Sequence, residues 1–178
     1  MVLQPDLAMA GGGIVRRKRD NATMQISARV DYALRALAEL AVAWQENPTQ
    51  LQKGDVLAAR QDIPARFLEG ILGQLRKAGI VFSQRGAEGG YRLARAPEEI
   101  SIADIIRVLD GPLGAVRSEA PEDATYVGPA AHLRVVWVAT RAALRSVLEQ
   151  TTLADVVAGR TTPNIDTLLQ TPGAWDRR

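Results

Sequence analysis

The run from Pro64 to Leu93 leaves the chain few choices of fold. Leu68, Ile71, Leu72, Leu75 and Ala78 recur at the period of an amphipathic helix. Pro64 suits the first turn of that helix. Gly79 follows its last apolar position, where a residue able to take positive φ ends a helix. Ile80 to Arg85 then reads as a strand, Gly86 to Gly90 as a glycine-rich turn, and Tyr91 to Ala94 as the returning strand. The pair makes a β-hairpin with a loop longer than two residues.

The flanks are helical. Ser27 to Trp44 places Val30, Ala33, Leu34, Leu37, Leu40, Ala41 and Trp44 on one stripe, with Ser27 as N-cap and Asn47-Pro48 as the stop. Asp55 to Arg60 is a short helix offering Val56, Leu57 and Ala59 for burial, and Gln61-Asp62-Ile63 is a tight connection. Ser101 caps a helix to Leu109, stopped by Asp110-Gly111-Pro112. An acidic loop rich in Pro and Gly runs from Val116 to Pro129. A long helix from about Ala130 to Gln150 follows it. Leu133, Val136, Trp137, Thr140, Leu144, Val147, Leu148 and Thr151 form its stripe, with Arg134, Arg141, Arg145 and Glu149 opposite. Thr152 to Asp155 opens a last short helix, and the polar tail from Thr161, with Pro163 and Pro172, is expected to fray.

Helix, short helix, tight turn, helix, hairpin is the order of a winged helix-turn-helix. Such a motif needs a second helix with one side in the core and the other toward base edges. The helix from Pro64 turns Arg66, Glu69, Gly70, Gly73 and Lys77 outward. An arginine can donate to guanine O6 and N7, and a glutamate can accept from cytosine N4. Gly70 and Gly73 each cost a helix about 1 kcal/mol against alanine. They fit either close approach of a partner or packing against a neighbouring element. Arg85, at the hairpin end, suits a narrow minor groove. The glycine string is no P-loop, because it lacks the Gly-Lys-Ser/Thr ending and no helix follows directly.

Composition removes several function classes. The sequence has no cysteine, so disulfides, zinc–thiolate sites and four-cysteine clusters are excluded. His132 is the one imidazole, and no nucleophile–base pair is legible, so an enzyme is not expected. No apolar run reaches the roughly 18 residues of a membrane span, and the basic run Arg16 to Arg19 stands after the first apolar stretch rather than before it. A cytoplasmic protein is expected. Residues 24–95 carry ten Lys/Arg and seven Asp/Glu, and residues 96–178 eight and eleven. The front is basic and the back acidic, which permits phosphate binding without requiring it.

The segments "ISARVDYALRALAELA", "IPARFLEGILGQLRKAGIVFSQRGAEGGYRLARAPEEISIADIIRVLDG" and "LEQTTLADVV" resemble the Rrf family of bacterial winged-helix regulators. The resemblance spans Met24 to Gly159. It implies a homodimer on double-stranded DNA, at a near-palindromic operator, acting as a repressor. The long helix would cross its partner through Leu133, Val136, Trp137, Thr140, Leu144, Val147 and Leu148. Arg66, Phe67 and Glu69 would lie in the major groove, with Gly70, Gln74 and Lys77 on the same helix. Arg85 would reach the minor groove. Ser83 on the hairpin, with Arg29, Gln52, Lys53 and Tyr91, would approach the backbone.

The chain departs from the family where many members hold an iron–sulfur cluster. The loop "AVRSEAPEDATYVGPAAHLRVVW" has no cysteine, so no cofactor and no metal are expected. His132 lies near a ligand position of some members but out of register with it, and reads as a solvated residue at a helix start. The effector is left open: a small molecule, a partner protein, or none. Glu119 to Asp123 is either a sensor or a mobile connection.

The expected fold class is mainly α with a small β-hairpin wing. Residues 1–23 form a disordered basic extension, either an arm toward DNA or a stretch upstream of a true start at Met24. The winged helix-turn-helix occupies 24–111, a loop 112–129, the dimerisation helix and short terminal helix 130–160, and a flexible tail 161–178. The competing reading is a winged helix that docks proteins and binds little DNA.

Overall fold

The computed structural model describes residues 25–177, so the expected basic extension lies outside the described residues. Helix α1 (Ala28–Glu46) begins where Ser27 accepts a hydrogen bond from the Val30 amide at 3.2 Å. It buries Val30, Ala33, Ala36, Leu37, Leu40, Ala41 and Ala43 and forms the centre of the core. Helix α2 (Gly54–Arg60) buries Leu57 and Ala58, while Val56 and Ala59, expected inside, are exposed. Asp62 takes φ 50° in the tight connection, a conformation that aspartate tolerates better than most residues.

Helix α3 (Ala65–Lys77) buries Leu68, Ile71, Leu72 and Leu75. Gly79, at φ 71°, ends it. The Ile80 amide donates to the Leu75 carbonyl at 3.0 Å and the Gly79 amide to the Arg76 carbonyl at 3.1 Å. These two bonds are a Schellman motif, which satisfies the last carbonyls and aims the chain into the hairpin. Strands β1 (Val81–Gln84) and β2 (Gly90–Leu93) pair antiparallel, Val81 opposite Leu93 and Gln84 opposite Gly90. Val81 and Leu93 point into the core. On the outer face the Arg92 guanidinium lies 4.2 Å from the centre of the Phe82 ring.

A third edge joins this hairpin. The Gln52 and Tyr91 amides donate to each other's carbonyls, both at 2.8 Å. A side chain at Gly90 would put its Cβ 2.6 Å from the Gln52 carbonyl oxygen, so only glycine admits the bridge.

Helix α4 (Ile102–Leu109) starts with a capping box between Ser101 and Asp104. Helix α6 (Leu153–Ala158) starts with another, between Thr152 and Asp155. The two starts are tied together, Ile102 amide to Thr151 carbonyl at 2.9 Å and Leu153 amide to Ile100 carbonyl at 3.0 Å. This tie returns the chain to the core, where Leu153 and Ala154 are buried. The Thr152 hydroxyl and then its amide hydrogen-bond the Asp155 carboxylate, holding its pKa below the ordinary 3.8. A lowered pKa adds stability above 3.8 that is lost as pH falls through the folded value. Asp155→Asn should therefore lower the thermal midpoint at neutral pH. The difference from the parent should vanish in unfolding curves recorded well below pH 3.8.

Between α4 and α6 lie a structured loop and helix α5 (Leu133–Leu148). Val116 and Glu119 exchange both backbone hydrogen bonds around Arg117 and Ser118, at φ 52° and 68°. The central residues of a tight hairpin turn of the primed kind have such positive φ. Glu122 pairs with Arg141, whose side chain is only 13% exposed and lies against Gly114. Its own backbone amide first, and then Arg141, hold the Glu122 pKa below the ordinary carboxylate value. Arg141, which the sequence period places on the outer side of this helix, instead clasps the loop.

The tail departs from its expected form. Helix α7 (Pro163–Leu169) follows α6. Thr162 caps it, and Pro163, part of the tail expected to fray, occupies a first-turn position where its missing N–H costs nothing.

Candidate nucleic-acid interface

Helix α3 offers two outward rows, because residues three and four apart share a face. Arg66, Gly70, Gln74 and Lys77 form one row, all exposed. Glu69, Gly73 and Arg76 form the other and turn toward the hairpin. There they line a groove completed by Lys53, Ser83, Arg85 and Tyr91. Of the residues singled out from sequence, the groove thus brings together Lys53, Glu69, Ser83, Arg85 and Tyr91, while Arg66, Gly70, Gln74 and Lys77 stay on the outward row of α3. It also adds Arg76, which sequence reading missed. The i, i+4, i+7 spacing from Glu69 could have found it.

Gly70 and Gly73 resolve an ambiguity. A Cβ at either would meet nothing within 4 Å. No neighbouring element of the chain therefore requires these glycines. The hairpin glycines are different. A Cβ at Gly89 would collide with the Gln84 carbonyl, and Gly86 takes φ 103°. They hold the tight tip that presents Arg85.

Several candidates have structural partners. Arg29 donates to the Gln74 side-chain carbonyl at 2.7 Å, tying the start of α1 to the outward row of α3. The Lys53 ammonium donates to the Ala87 carbonyl, so its charge sits on the wing. Phe67 meets Tyr32 edge to face at 5.8 Å between ring centres. Gln52 acts through its backbone as the third strand edge. Tyr91 packs against the core, and a Cβ at Gly54 would touch its ring at 3.1 Å. These contacts give Gln52 and Tyr91 a structural role in holding the wing. By contrast Arg66, Arg76, Lys77 and Arg85 form no ion pair among the described residues. Unpaired cations of this kind, on the exposed rows of α3 and on the adjoining wing, suit a polyanion.

The second candidate surface is α5. None of its residues is buried. The expected stripe divides in two. Trp137, Leu144 and Leu148 are half-buried, and Leu148 packs on the chain's own core. Leu133, Val135, Val136 and Val138 are exposed, Val135 at 64% and Val136 at 51%. Thr140 and Val147 are half-buried as well. The open side continues through Ala139, Ala142 and Ala143.

The model of the Rrf2 family, described as an iron-dependent transcriptional regulator, matches residues 26–159. A Mycobacterium tuberculosis protein, Rv1287, provisionally named an HTH-type transcriptional regulator, is 52% identical over 136 residues. The match covers 76% of this chain and 83% of that protein. The HTH-type transcriptional regulator CymR of Bacillus subtilis is 40% identical over 135 residues, 76% of this chain and 91% of that protein. Its solved structure, titled as the global cysteine regulator of B. subtilis, is similar with a TM-score of 0.63. It matches at 37% identity over 78% of this chain and all of that one. These relatives are named as regulators, not enzymes, and the winged-helix fold expected from sequence is theirs.

Iron is the point of disagreement with the family description. The sequence offers no thiolate. Among the described residues no three His, Cys, Asp or Glu side chains gather where they could hold a metal. His132 is exposed at the start of α5. The loop that would carry a cluster is instead pinned by Glu122 and Arg141. The donor set does not fit an iron–sulfur cluster.

Proposed function

The chain belongs to the Rrf2 family of transcriptional regulators, and from that premise we propose that it grips a near-palindromic operator as a homodimer. The observation that carries this reading is the gathering of unpaired Arg66, Arg76, Lys77 and Arg85 on α3 and the wing. In this reading α3 enters the major groove, where Arg66 and Glu69 meet base edges. Arg85 follows the minor groove from the wing tip. Arg29 holds Gln74 in place, Lys53 brings a charge to the backbone, and Ser83 lines the same groove. The open side of α5 joins two chains, so that two recognition helices can meet successive turns of one DNA face.

The regulator would act in the cytoplasm, and no described helix is long and apolar enough to cross a membrane. A dimer on an operator obstructs polymerase, so repression is the sign assigned. An effector, if one exists, would act through chemistry other than a cysteine-bound cluster.

The test is equilibrium binding to duplex DNA across salt concentration. Each neutralised phosphate contributes about −0.9 to the slope of log K against log salt. A dimer using several cations per half-site should lose about a thousandfold between 50 and 200 mM salt. Affinity that is negligible and indifferent to salt would remove the reading in favour of a protein-docking winged helix.

The α3 glycines give a prediction with two readouts. Gly70→Ala and Gly73→Ala should each stabilise the chain by about 1 kcal/mol, because alanine favours the helix and its methyl meets open space. Each should nevertheless weaken DNA binding, because that space is where the groove walls approach. Thermal melts and binding isotherms on the same samples compare the two effects. Stabilisation with unchanged affinity would take the glycines out of the interface.

A further inference from the structure

Helix α7 lies beyond the stretch matched by the family model. It is tied to α5, since the Asn164 amide nitrogen donates to the Ser146 carbonyl and hydroxyl, both at 3.1 Å. Leu168 and Leu169 are nevertheless left 48% and 40% exposed.

The open side of α5 is uneven. Its first half carries the bulk, at Leu133, Val135, Val136 and Val138, and its second half carries Ala142 and Ala143. A two-fold axis through the middle of the helix, near Thr140, sets two copies antiparallel. Each bulky half then faces the partner's small half, where α7 is tied at Ser146. Helix area points the same way. At about 24 Å long and roughly 10 Å across, one face of α5 covers on the order of 240 Å². Stable interfaces hide about 800 Å² per partner. A second element beside α5 would bring the contact nearer that size.

We propose that α7 is an arm by which each chain holds the first half of its partner's α5, Leu168 and Leu169 packing against Val135 and Val136. This rests on the dimer reading given above. The chain thereby gains an apolar clasp outside the matched family region, and the occupant of its exposed leucines is a second copy.

Sedimentation equilibrium of the full chain and of a Leu168→Ser, Leu169→Ser double variant tests it. Both leucines are exposed in the single chain, so circular dichroism of the variant should be unchanged. Its dimer dissociation constant should rise by at least about a hundredfold. The cysteine-free background allows a second measurement. A chain carrying Leu168→Cys mixed with one carrying Val135→Cys should give an inter-chain disulfide on mild oxidation. A double variant that dimerises like the parent, with no cross-link, overturns the arm and leaves the dimer intact. A parent chain that sediments as a monomer overturns the dimer reading itself and the arm with it.

Discussion

Val136→Asp is expected to leave a folded chain that sediments as a monomer and binds its operator about a thousandfold more weakly than the parent. Val136 is half-exposed and belongs to a helix with no buried residue, so the single chain gives up little when it changes. In a two-fold dimer the substitution acts twice. It would place two carboxylates in an apolar contact, and burying an unpaired charge costs several kcal/mol. DNA binding follows because two linked half-sites gain roughly 100- to 10,000-fold over one. Sedimentation gives the mass, and anisotropy of a labelled operator gives the affinity. Retention of the dimer mass would place the interface elsewhere than α5.

Arg66→Ala is expected to lower operator affinity by about 100-fold and to flatten base preference at one position of each half-site. A bidentate arginine–guanine contact discriminates by about 1–3 kcal/mol, and the proposed dimer would have two. Arg66 is exposed and forms no ion pair among the described residues, so its loss costs the fold nothing visible. Arg85→Ala should behave differently. It should weaken all sequences by a similar factor and reduce the salt slope by about 1 per half-site. Binding to a panel of single-base operator variants distinguishes the two. Equal loss on every variant for Arg66→Ala would make it a phosphate contact.

Both predictions come from features legible in the sequence to different degrees. The α3–hairpin unit was readable because each of its parts has a local cause. The apolar period, the glycine at position 79 and the glycine-rich turn act over a few residues, and the Schellman bonds at Gly79 and Ile80 follow from them. Contacts between distant segments were not readable in this way. Nothing local in Gln52 announces that its backbone pairs with Tyr91, or that Arg29 reaches Gln74. Gln52 and Tyr91 carry polar atoms that would suit a phosphate, and the structure uses their backbones for the wing.

The long helix illustrates a further limit. Its apolar residues are numerous enough to occupy more than one face, so periodicity alone could not say which side meets the chain's own core. Leu148 and Arg141 settle that only through their contacts with the core and with Glu122. Likewise Pro163 has opposite meanings as a breaker and as a first-turn residue, and only the Thr162 cap decides between them. The absent cysteines needed no structure. Their consequence for an iron-dependent family was plain from composition, and the ion pair in the loop supplies a local anchor that needs no metal.

The most direct measurement is selection of bound duplexes from a random pool by the purified full chain. Two short half-sites in inverted repeat are expected, with centres about one helical turn, 10–10.5 base pairs, or a multiple of it apart. Enrichment of a single unpaired half-site would contradict the dimer, and no enrichment at all would contradict DNA recognition by α3 and the wing.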